Sequence, residues 1–594
     1  MQNDQDNLLS IFEKQVELYP NHIAVSDEHE KFTYQQLDFY STQLAYYLIE
    51  LGVSPKQIIG ICIPRSAKSV VSILAALKAN STFLPMNIDC PELRFSHAIE
   101  ETNLSIIICD SKVEGKLPST SAIVIPLDTV WPELKKETFS KKQKLHRSAN
   151  TPTYIIYTSG STGKPKGIVV NDQGLVQLVS HTNYIKINKE DKLLQLSPNE
   201  FDGAIFEIFS ALLNGAHVTI FPPGIPTLEK LALTITNEKI SILFITTQLF
   251  NAMVDNYPTE LSKVKQVLFG GEAASPYHVK RFLKSAKNTR LINIYGTTEA
   301  TVFSLFHEIL TEDELDNIPI GKPITGTTIE VLNEHSEPVS IGETGELCLG
   351  GSGLANSYFK DDHLTQVKFT ISPKGKRLFK TGDLVKINQD NDVVFIGRYD
   401  NQVKVRGYRV TTEEIETALK RLLEIKKTAV LPIPDKKSGC LDMVAFIEAT
   451  DEYDLSLSDI RIRLKNSTPS YMLPTKVVKV KSIPLNRNGK TYIAELRSLY
   501  EEQLNQEEKN ALNAAPLTLT EIALKLAWEE VLNESNIAPN DDFFDLGGHS
   551  LVIVSLIERL KHNKVSSIKN LEVIDFFNHP TISQLAEYAD QRNP

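Results

Sequence analysis

Between Tyr157 and Gly167 the chain reads YTSGSTGKPKG, with three glycines, four serine or threonine hydroxyls and two lysines in eleven residues. Glycines let a backbone curl until successive N–H groups face one anion. The hydroxyls of Thr158, Ser159, Ser161 and Thr162 add donors, Gly160 and Gly163 give the curl, and Lys164 and Lys166 supply charge. This is phosphate-binding chemistry. It is not the Walker-type loop, because Gly160 and Gly163 stand too close together and Pro165 follows the lysine. A flexible surface loop is the plain alternative, and the apolar run Tyr154 to Tyr157 just before it argues against one. Two further β-branched runs end the same way: Gln266 to Phe269 leads into GGEAAS, and Leu291 to Ile294 into YGTTE. Ligands in open α/β sheets sit at the carboxyl ends of strands, so three such loops predict one shared nucleotide crevice.

Those loops need a scaffold, and 594 residues are too many for a single core, so two to four domains are expected. With 41% hydrophobic and 23% charged residues the composition is that of an ordinary globular protein. A formal net charge of -11 argues against a non-specific nucleic-acid binder, which needs a basic face. Five cysteines without a C-x-x-C pair predict scattered reduced thiols. The polar start MQNDQDNLLS and the lack of any long apolar run predict a cytoplasmic protein with neither signal peptide nor membrane span. Leu8, Ile11, Phe12 and Val16 fall on one face of a first helix. Strand-like runs then alternate with helical stretches until about Asp400, where GRYDNQVKVRGYRV opens a more charged, smaller α+β region. Residues 500–516 are polar and acidic and close on Pro516, which reads as a linker, and the remainder looks helical throughout.

The phosphate string resembles the signature of the adenylate-forming enzymes, a superfamily that includes acyl-CoA synthetases, luciferases and the adenylation domains of non-ribosomal peptide synthetases. Further motifs follow in that superfamily's order: LKANSTFLPMN, NEFDGAIFE, YGTTE, GELCLGG, KTGD, GRYDNQVKVRGYR and PLNRNGK. The resemblance implies a multidomain fold with a large α/β core at 1–399, a small α+β mobile subdomain at 400–499 and a linker at 500–516. A four-helix carrier domain at 517–594 would complete it. It also implies roles. Tyr295 would stack on adenine, Thr298 would donate to the phosphate, and Glu299 would hold Mg²⁺. Asp383 would accept from the ribose hydroxyls, with Arg398 beside the sugar. Gly271, Glu272, Ala273, Asn293, Gly296 and Thr297 would complete the ATP or AMP site with the phosphate loop. Lys490 would reach the carboxylate and α-phosphate during adenylation, where charge develops. Asp400 would be the hinge about which the mobile subdomain exchanges Lys490 for the segment near Lys404. Two departures stand out: Thr297 replaces the usual proline, and Asn356 stands where many members carry arginine.

Asp202 matches the position where amino-acid-activating members keep a carboxylate for the substrate ammonium, with helix N-cap as its alternative role. By the same resemblance Gly203, Phe206, Phe244, Leu268, Gly270, Ile294, Val302 and Phe303 line the side-chain pocket. All are apolar, so a polar side chain would be left unpaired. The two glycines are expected to leave room at the neck while the larger residues fill the far end. Isoleucine is favoured, valine is a real competitor because one methylene changes binding by only ~1–3 kcal/mol, and leucine is weaker.

DDFFDLGGHSLVIVSLIERLK, from Asp541, resembles the attachment motif of a peptidyl carrier protein. Ser550 would carry 4′-phosphopantetheine at the start of a helix striped by Ile553, Leu556, Ile557 and Leu560. The implied cofactors are ATP, Mg²⁺ and 4′-phosphopantetheine. The implied partners are the amino acid, a phosphopantetheinyl transferase, and a condensation domain or tailoring enzyme on another protein, since these residues leave no room for one. A need for a small MbtH-like helper stays open. An acyl- or aryl-acid ligase on the same scaffold and a catalytically silent carrier protein are the competing readings.

Overall fold

The computed structural model describes residues 7–592 except 137–146, 148–150, 160–164, 181, 225, 311–317, 373, 400–401, 406–407, 423, 435–440, 450–459, 461–462, 465–467, 470–471, 485–490, 511–516, 533–536, 538, 545, 547, 549, 562 and 564. The chain divides into two compact units. The first runs to residue 400 without 159–164 and 227–230, and the second holds the rest.

Three sheets build the first unit. At the centre of a nine-stranded sheet run six parallel strands: Arg290–Tyr295, Gln266–Gly270, Ile242–Thr246, Lys192–Gln195, His217–Ile220 and Ile23–Ser26. A seven-stranded sheet places Pro152–Thr158 beside the parallel strands Thr82–Pro85, Ile58–Cys62, Ile106–Cys109 and Ile123–Pro126. Strands covered on both faces read as continuous apolar runs, which is why IIGIC and IIIC are strands here. A five-stranded antiparallel sheet is centred on Arg377–Ile387. The first helix, Leu8–Leu18, is capped by the Asn7 side chain and buries Leu8, Leu9 and Phe12, with Ile11 and Val16 against the same core. No described helix is long and apolar enough to cross a membrane.

The three loop-feeding strands are divided between two sheets. Gln266–Gly270 and Arg290–Tyr295 are neighbours in the nine-stranded sheet. Pro152–Thr158 belongs to the seven-stranded one, and its chain returns antiparallel along Lys166–Asn171 instead of entering a helix. That strand pair is held by a buried ion pair. The Arg147 guanidinium donates to both Asp172 oxygens at 2.8–2.9 Å, and to the carbonyls of Ser81, Thr151 and Pro152 at 3.0–3.1 Å. Thr153 Oγ1 gives Asp172 a further bond at 2.6 Å. Cys62 and Cys109 face each other on adjacent strands, free and buried, and burial pushes each thiol up to about 12, as expected for inert cysteines.

In the second unit, the strands Ile425–Pro434, Leu441–Ala449 and Lys476–Lys479 form one sheet near the helix Thr412–Leu419, the predicted α+β arrangement. The predicted linker is corrected in its first part. A helix Ile493–Asn510 runs through it, with Tyr500 buried among Val478, Ile483 and Leu496. Polar, acidic composition is shared by linkers and exposed helix faces, and one buried tyrosine decides between them. Beyond residue 516 the helices Leu519–Leu532, Ser550–Lys561, Val573–Asn578 and Ile582–Arg592 close on Trp528, Phe543 and Phe576. Ile553, Leu556 and Leu560 are buried and Ile557 half-buried, as the stripe predicts.

Removing one partner of a buried pair strands the other charge at a cost of about 3–5 kcal/mol, whereas an apolar pair of similar volume is nearly neutral. Arg147→Ala should therefore destabilise the first unit by about that much, and Arg147→Met with Asp172→Leu should recover most of it. Trp131 and Trp528 are the two tryptophans, so in a Trp528→Phe background urea unfolding followed by Trp131 fluorescence reads the first unit alone.

Candidate active site

Gly296 permits the tight turn after Arg290–Tyr295, since a Cβ there would overlap the Val302 carbonyl and lie 2.7 Å from Phe303 Cα. A short 3-10 turn, Thr298–Ala300, follows. Glu299 is fully buried at its centre and accepts on Oε1 from the Lys166 ammonium at 3.1 Å and from the Tyr358 hydroxyl at 2.7 Å. The Lys166 ammonium also lies 4.4 Å from the Tyr358 ring centre. Thr298 Oγ1 donates to Asp202 Oδ2 at 2.6 Å. The side chains predicted to meet the phosphate and the substrate ammonium are thus bonded to each other.

Asp202 is the first residue of the helix Asp202–Leu212, and Phe201 occupies the cap position without a side-chain cap bond. The N-cap alternative is therefore corrected. A carboxylate in the first turn is favoured by the helix dipole. It also lies close enough to the buried Tyr154 for its charge, after burial, to push that phenol above its ordinary value.

Among the residues predicted to meet the nucleotide, the Tyr295 hydroxyl donates to one Asp383 oxygen and the Arg398 guanidinium holds the other. Arg398 and Asp383 are partners across the strand pair, and Arg398 Nη2 also donates to the Thr381 carbonyl at 3.0 Å. Burial, reinforced by the Asp383 charge, raises the Tyr295 phenol well above its ordinary value. Gly271 has φ +97, which favours glycine. Glu272 accepts from Gln248 Nε2 at 3.1 Å, Ala273 is exposed, and the Asn293 amide is spent on the Pro319 carbonyl at 2.8 Å. Ser159 is buried. The Oγ1 atoms of Thr158 and Thr297 are buried and find no partner among the described residues, the state in which a phosphate would be welcome. Thr297 adopts φ -136, which proline cannot take, so the departure at this position matches its backbone. Asn356 is exposed and touches none of these groups; Arg377 donates to its carbonyl at 2.7 Å.

The donor set fits a hard divalent cation such as Mg²⁺. Among the described residues no three His, Cys, Asp or Glu side chains gather as a metal site. Glu299 is a single carboxylate, and Mg²⁺ characteristically takes one or two carboxylates with its remaining ligands from phosphates and water. Gly160, Ser161, Thr162, Gly163, Lys164, Asp400 and Lys490 lie outside the described residues. Lys404 falls on the strand Gln402–Val405. Ser550 opens its helix, where free backbone N–H groups suit a phosphodiester. Gly548 just before it packs 2.8 Å from the Phe543 carbonyl through its N–H, too close for any side chain.

The predicted pocket residues do converge. Phe244, Leu268, Gly270 and Ile294 stand in register on one face of three neighbouring strands. Phe206, Phe244 and Phe303 pack ring to ring, with centroids 4.8, 5.0 and 6.1 Å apart. Val302 closes the wall at φ +68, a strained value for a β-branched residue. One expectation is corrected. Neither glycine leaves room: a Cβ on Gly270 would strike the Ile294 carbonyl, and one on Gly203 would lie 2.7 Å from Ser197 Oγ and 3.1 Å from Phe244.

Beneath Gly203 lies a polar network that the motifs do not announce. Glu207, fully buried, accepts from Ser197 Oγ at 2.9 Å, Ser197 N at 3.0 Å and Leu196 N at 3.2 Å. Arg65 ties the Leu196, Pro222 and Gly224 carbonyls to the same place. No sequence pattern points to Tyr358, Ser197 or Arg65. The glutamate within NEFDGAIFE, unusual amid an apolar helix, is the one available signal.

Burial pushes Glu207 up to about 8, against the bonds from Ser197 and Leu196 and the Arg65 charge. The fold therefore holds this proton more tightly than the unfolded chain does. Its contribution to stability is complete below the ordinary glutamate value of 4.5 and is lost as pH rises towards about 8. The slope is at most about 1.4 kcal/mol per pH unit. Glu207→Gln, which cannot ionise, should flatten that loss, as measured by Tm between pH 5 and pH 9; a Tm profile parallel to the parent's would refute the assignment.

The chain matches known protein families over most of its length. The family model described as AMP-binding enzyme matches residues 12–359, AMP-binding enzyme C-terminal domain matches 414–490, and phosphopantetheine attachment site matches 523–589. Bacitracin synthase 3 of Bacillus licheniformis is 36% identical over 587 residues, covering 98% of this chain and 9% of the relative. Bacitracin synthase 1 of the same organism is 35% identical over 589 residues, covering 96% and 11%. The chain thus spans about a tenth of the length of these curated relatives. Holo-PA1221, an NRPS protein containing adenylation and PCP domains, solved bound to a vinylsulfonamide inhibitor, superposes with a TM-score of 0.83. Its sequence identity is 26%, with 99% of this chain and 98% of the other covered.

Proposed function

This chain belongs to the AMP-binding enzymes and carries a phosphopantetheine attachment region, and we propose that it adenylates a branched aliphatic amino acid and loads it as a thioester onto its own carrier region. The observation that carries the substrate reading is Asp202 at a helix N-terminus beside the apolar wall of Phe206, Phe244, Leu268, Ile294, Val302 and Phe303. A carboxylate there receives an ammonium, and the wall rejects polar side chains because their partners would be missing. The apolar wall with its three packed rings suits an aliphatic side chain, and isoleucine is proposed first, then valine, then leucine.

In this reading the amino-acid carboxylate attacks the α-phosphate of ATP and pyrophosphate leaves. Tyr295 and Asp383 orient the nucleoside, with Arg398 neutralising Asp383. Thr298 exchanges its bond to Asp202 for a phosphate oxygen, which frees Asp202 for the ammonium. Glu299 would hold Mg²⁺, which supplies charge neutralisation to the phosphates. Residues 158–164 would cradle them, and Lys490 would stabilise the charge that develops at the reacting oxygens. Asp400 would be the hinge and Lys404 would serve the second half-reaction. Ser550 would carry 4′-phosphopantetheine, which supplies the accepting thiol. A phosphopantetheinyl transferase is then required, and the aminoacyl group passes to a condensation domain or a tailoring enzyme.

Amino-acid-dependent ATP–pyrophosphate exchange across isoleucine, valine, leucine, phenylalanine, alanine, aspartate and an aryl acid tests this. Isoleucine or valine should lead by tenfold or more over aspartate and the aryl acid. An aryl acid in the lead would sink the pocket reading, and silence with every acid would sink the enzyme reading. Ser550→Ala should retain full exchange yet accept no radiolabelled amino acid in acid-stable form. Labelling of that variant would move the carrier site elsewhere.

A further inference from the structure

Glu299 has its carboxylate entirely out of water, and one segment grips it at both ends. Its backbone carbonyl accepts from Ala355 N at 2.8 Å, and its Oε1 accepts from the Tyr358 hydroxyl at 2.7 Å. Tyr358 is itself immobilised. It is buried, its strand Ser357–Tyr358 pairs with Lys166–Asn171 through Tyr358 and Ile168, and its backbone N–H reaches Thr365 Oγ1 at 3.0 Å. Its ring meets Phe369 edge-on at 5.8 Å between centroids. The same ring lies under the Lys166 ammonium, whose nitrogen is 3.3 Å from the hydroxyl and 3.1 Å from Glu299. Carboxylate, ammonium and phenol thus form a closed triangle, and the phenol's stem is held by strand pairing and ring packing.

We propose that Tyr358 is a positioning residue that acts through Glu299: it fixes the rotation of the carboxylate and the seat of Lys166, and so sets how well Glu299 receives the divalent cation that accompanies ATP. The inference rests on reading this cleft as the adenylating site. The physical reason is competition. A buried carboxylate that has lost its cation needs another partner at once. Lys166 meets that need while the metal is away, and it must yield when the metal arrives. A carboxylate held by Lys166 alone would swing with that lysine's four-carbon stem. The phenol's hydrogen bond keeps Oε1 in place while the ammonium moves, and the ring face gives the displaced ammonium a place to stay.

The test uses Tyr358→Phe, which keeps the ring and removes one donor, in the full chain. Binding of Mn²⁺ to the protein–ATP complex is read by electron paramagnetic resonance of the free ion, beside exchange activity titrated with Mg²⁺. One lost hydrogen bond to a charged group corresponds to roughly tenfold weaker Mn²⁺ binding and a Mg²⁺ requirement raised by a similar factor. The amino-acid KM and Tm should not move. In a Glu299→Gln background, Tyr358→Phe should have no further effect on Mn²⁺ binding. Unchanged Mn²⁺ binding in Tyr358→Phe, or an equal further loss in the Glu299→Gln background, overturns the proposal. If Tyr358→Phe lowers Tm, Tyr358→Trp, a ring without a phenol, must give the same loss of metal affinity or the role is packing alone. A parent chain that binds Mn²⁺ with ATP but exchanges with no acid would sink the adenylation reading and leave the Tyr358 assignment to the Mn²⁺ result. A parent that binds no Mn²⁺ with ATP overturns both.

Discussion

An ionised carboxylate buried without water needs a compensating charge or hydrogen bonds, and at Glu299 that requirement joins two sheets. Glu299 follows the last parallel strand of the nine-stranded sheet, while Lys166 opens the strand that returns along the seven-stranded one. Their 3.1 Å contact is possible only if the carboxyl ends of both sheets converge on one point. Breaking it by moving either sheet would leave a charge in an apolar interior, at a cost of several kcal/mol. The pair is therefore less a source of net stability than a condition on geometry. The two sheets have to meet there for the pair to form.

Around that point the polar groups are already engaged. Thr298 is bonded to Asp202, Tyr295 to Asp383, and Asp383 to Arg398. A ligand entering such a site exchanges one set of hydrogen bonds for another, so much of the orientation is settled before it arrives. The side chains that do stand without a described partner, Thr158 and Thr297, are hydroxyls, whose cost of waiting is far smaller than that of a charge.

Reading the sequence recovered what is local. Glycine-rich loops after apolar runs are short signals, and the strands Gln266–Gly270 and Arg290–Tyr295 stand where those signals placed them. The helix stripe from Ile553 to Leu560 likewise needs only its own period. What was illegible depends on distance or direction. Arg65 and Leu196 meet across 131 positions of chain, and no spacing announces that. Whether a glycine opens a space depends on where its absent Cβ would point, which only the folded backbone decides; at Gly203 and Gly270 it points into neighbours. Residues 500–510 look like a linker by composition and are a helix because Tyr500 has a core to enter. The division of the loop-feeding strands between two sheets follows from pairing, which composition does not encode.

The row formed by Thr246, Gly270 and Ile294 has a consequence for how this pocket can drift over generations. Position 270 is closed to innovation, because its backbone sits against a carbonyl and every side chain is penalised alike. Val302 is nearly closed for the opposite reason: its left-handed backbone already disfavours what it carries, and bulkier branched replacements inherit the same strain. On the proposed reading, the freedom to accept a new substrate is thereby concentrated in the packed rings of Phe244 and Phe303.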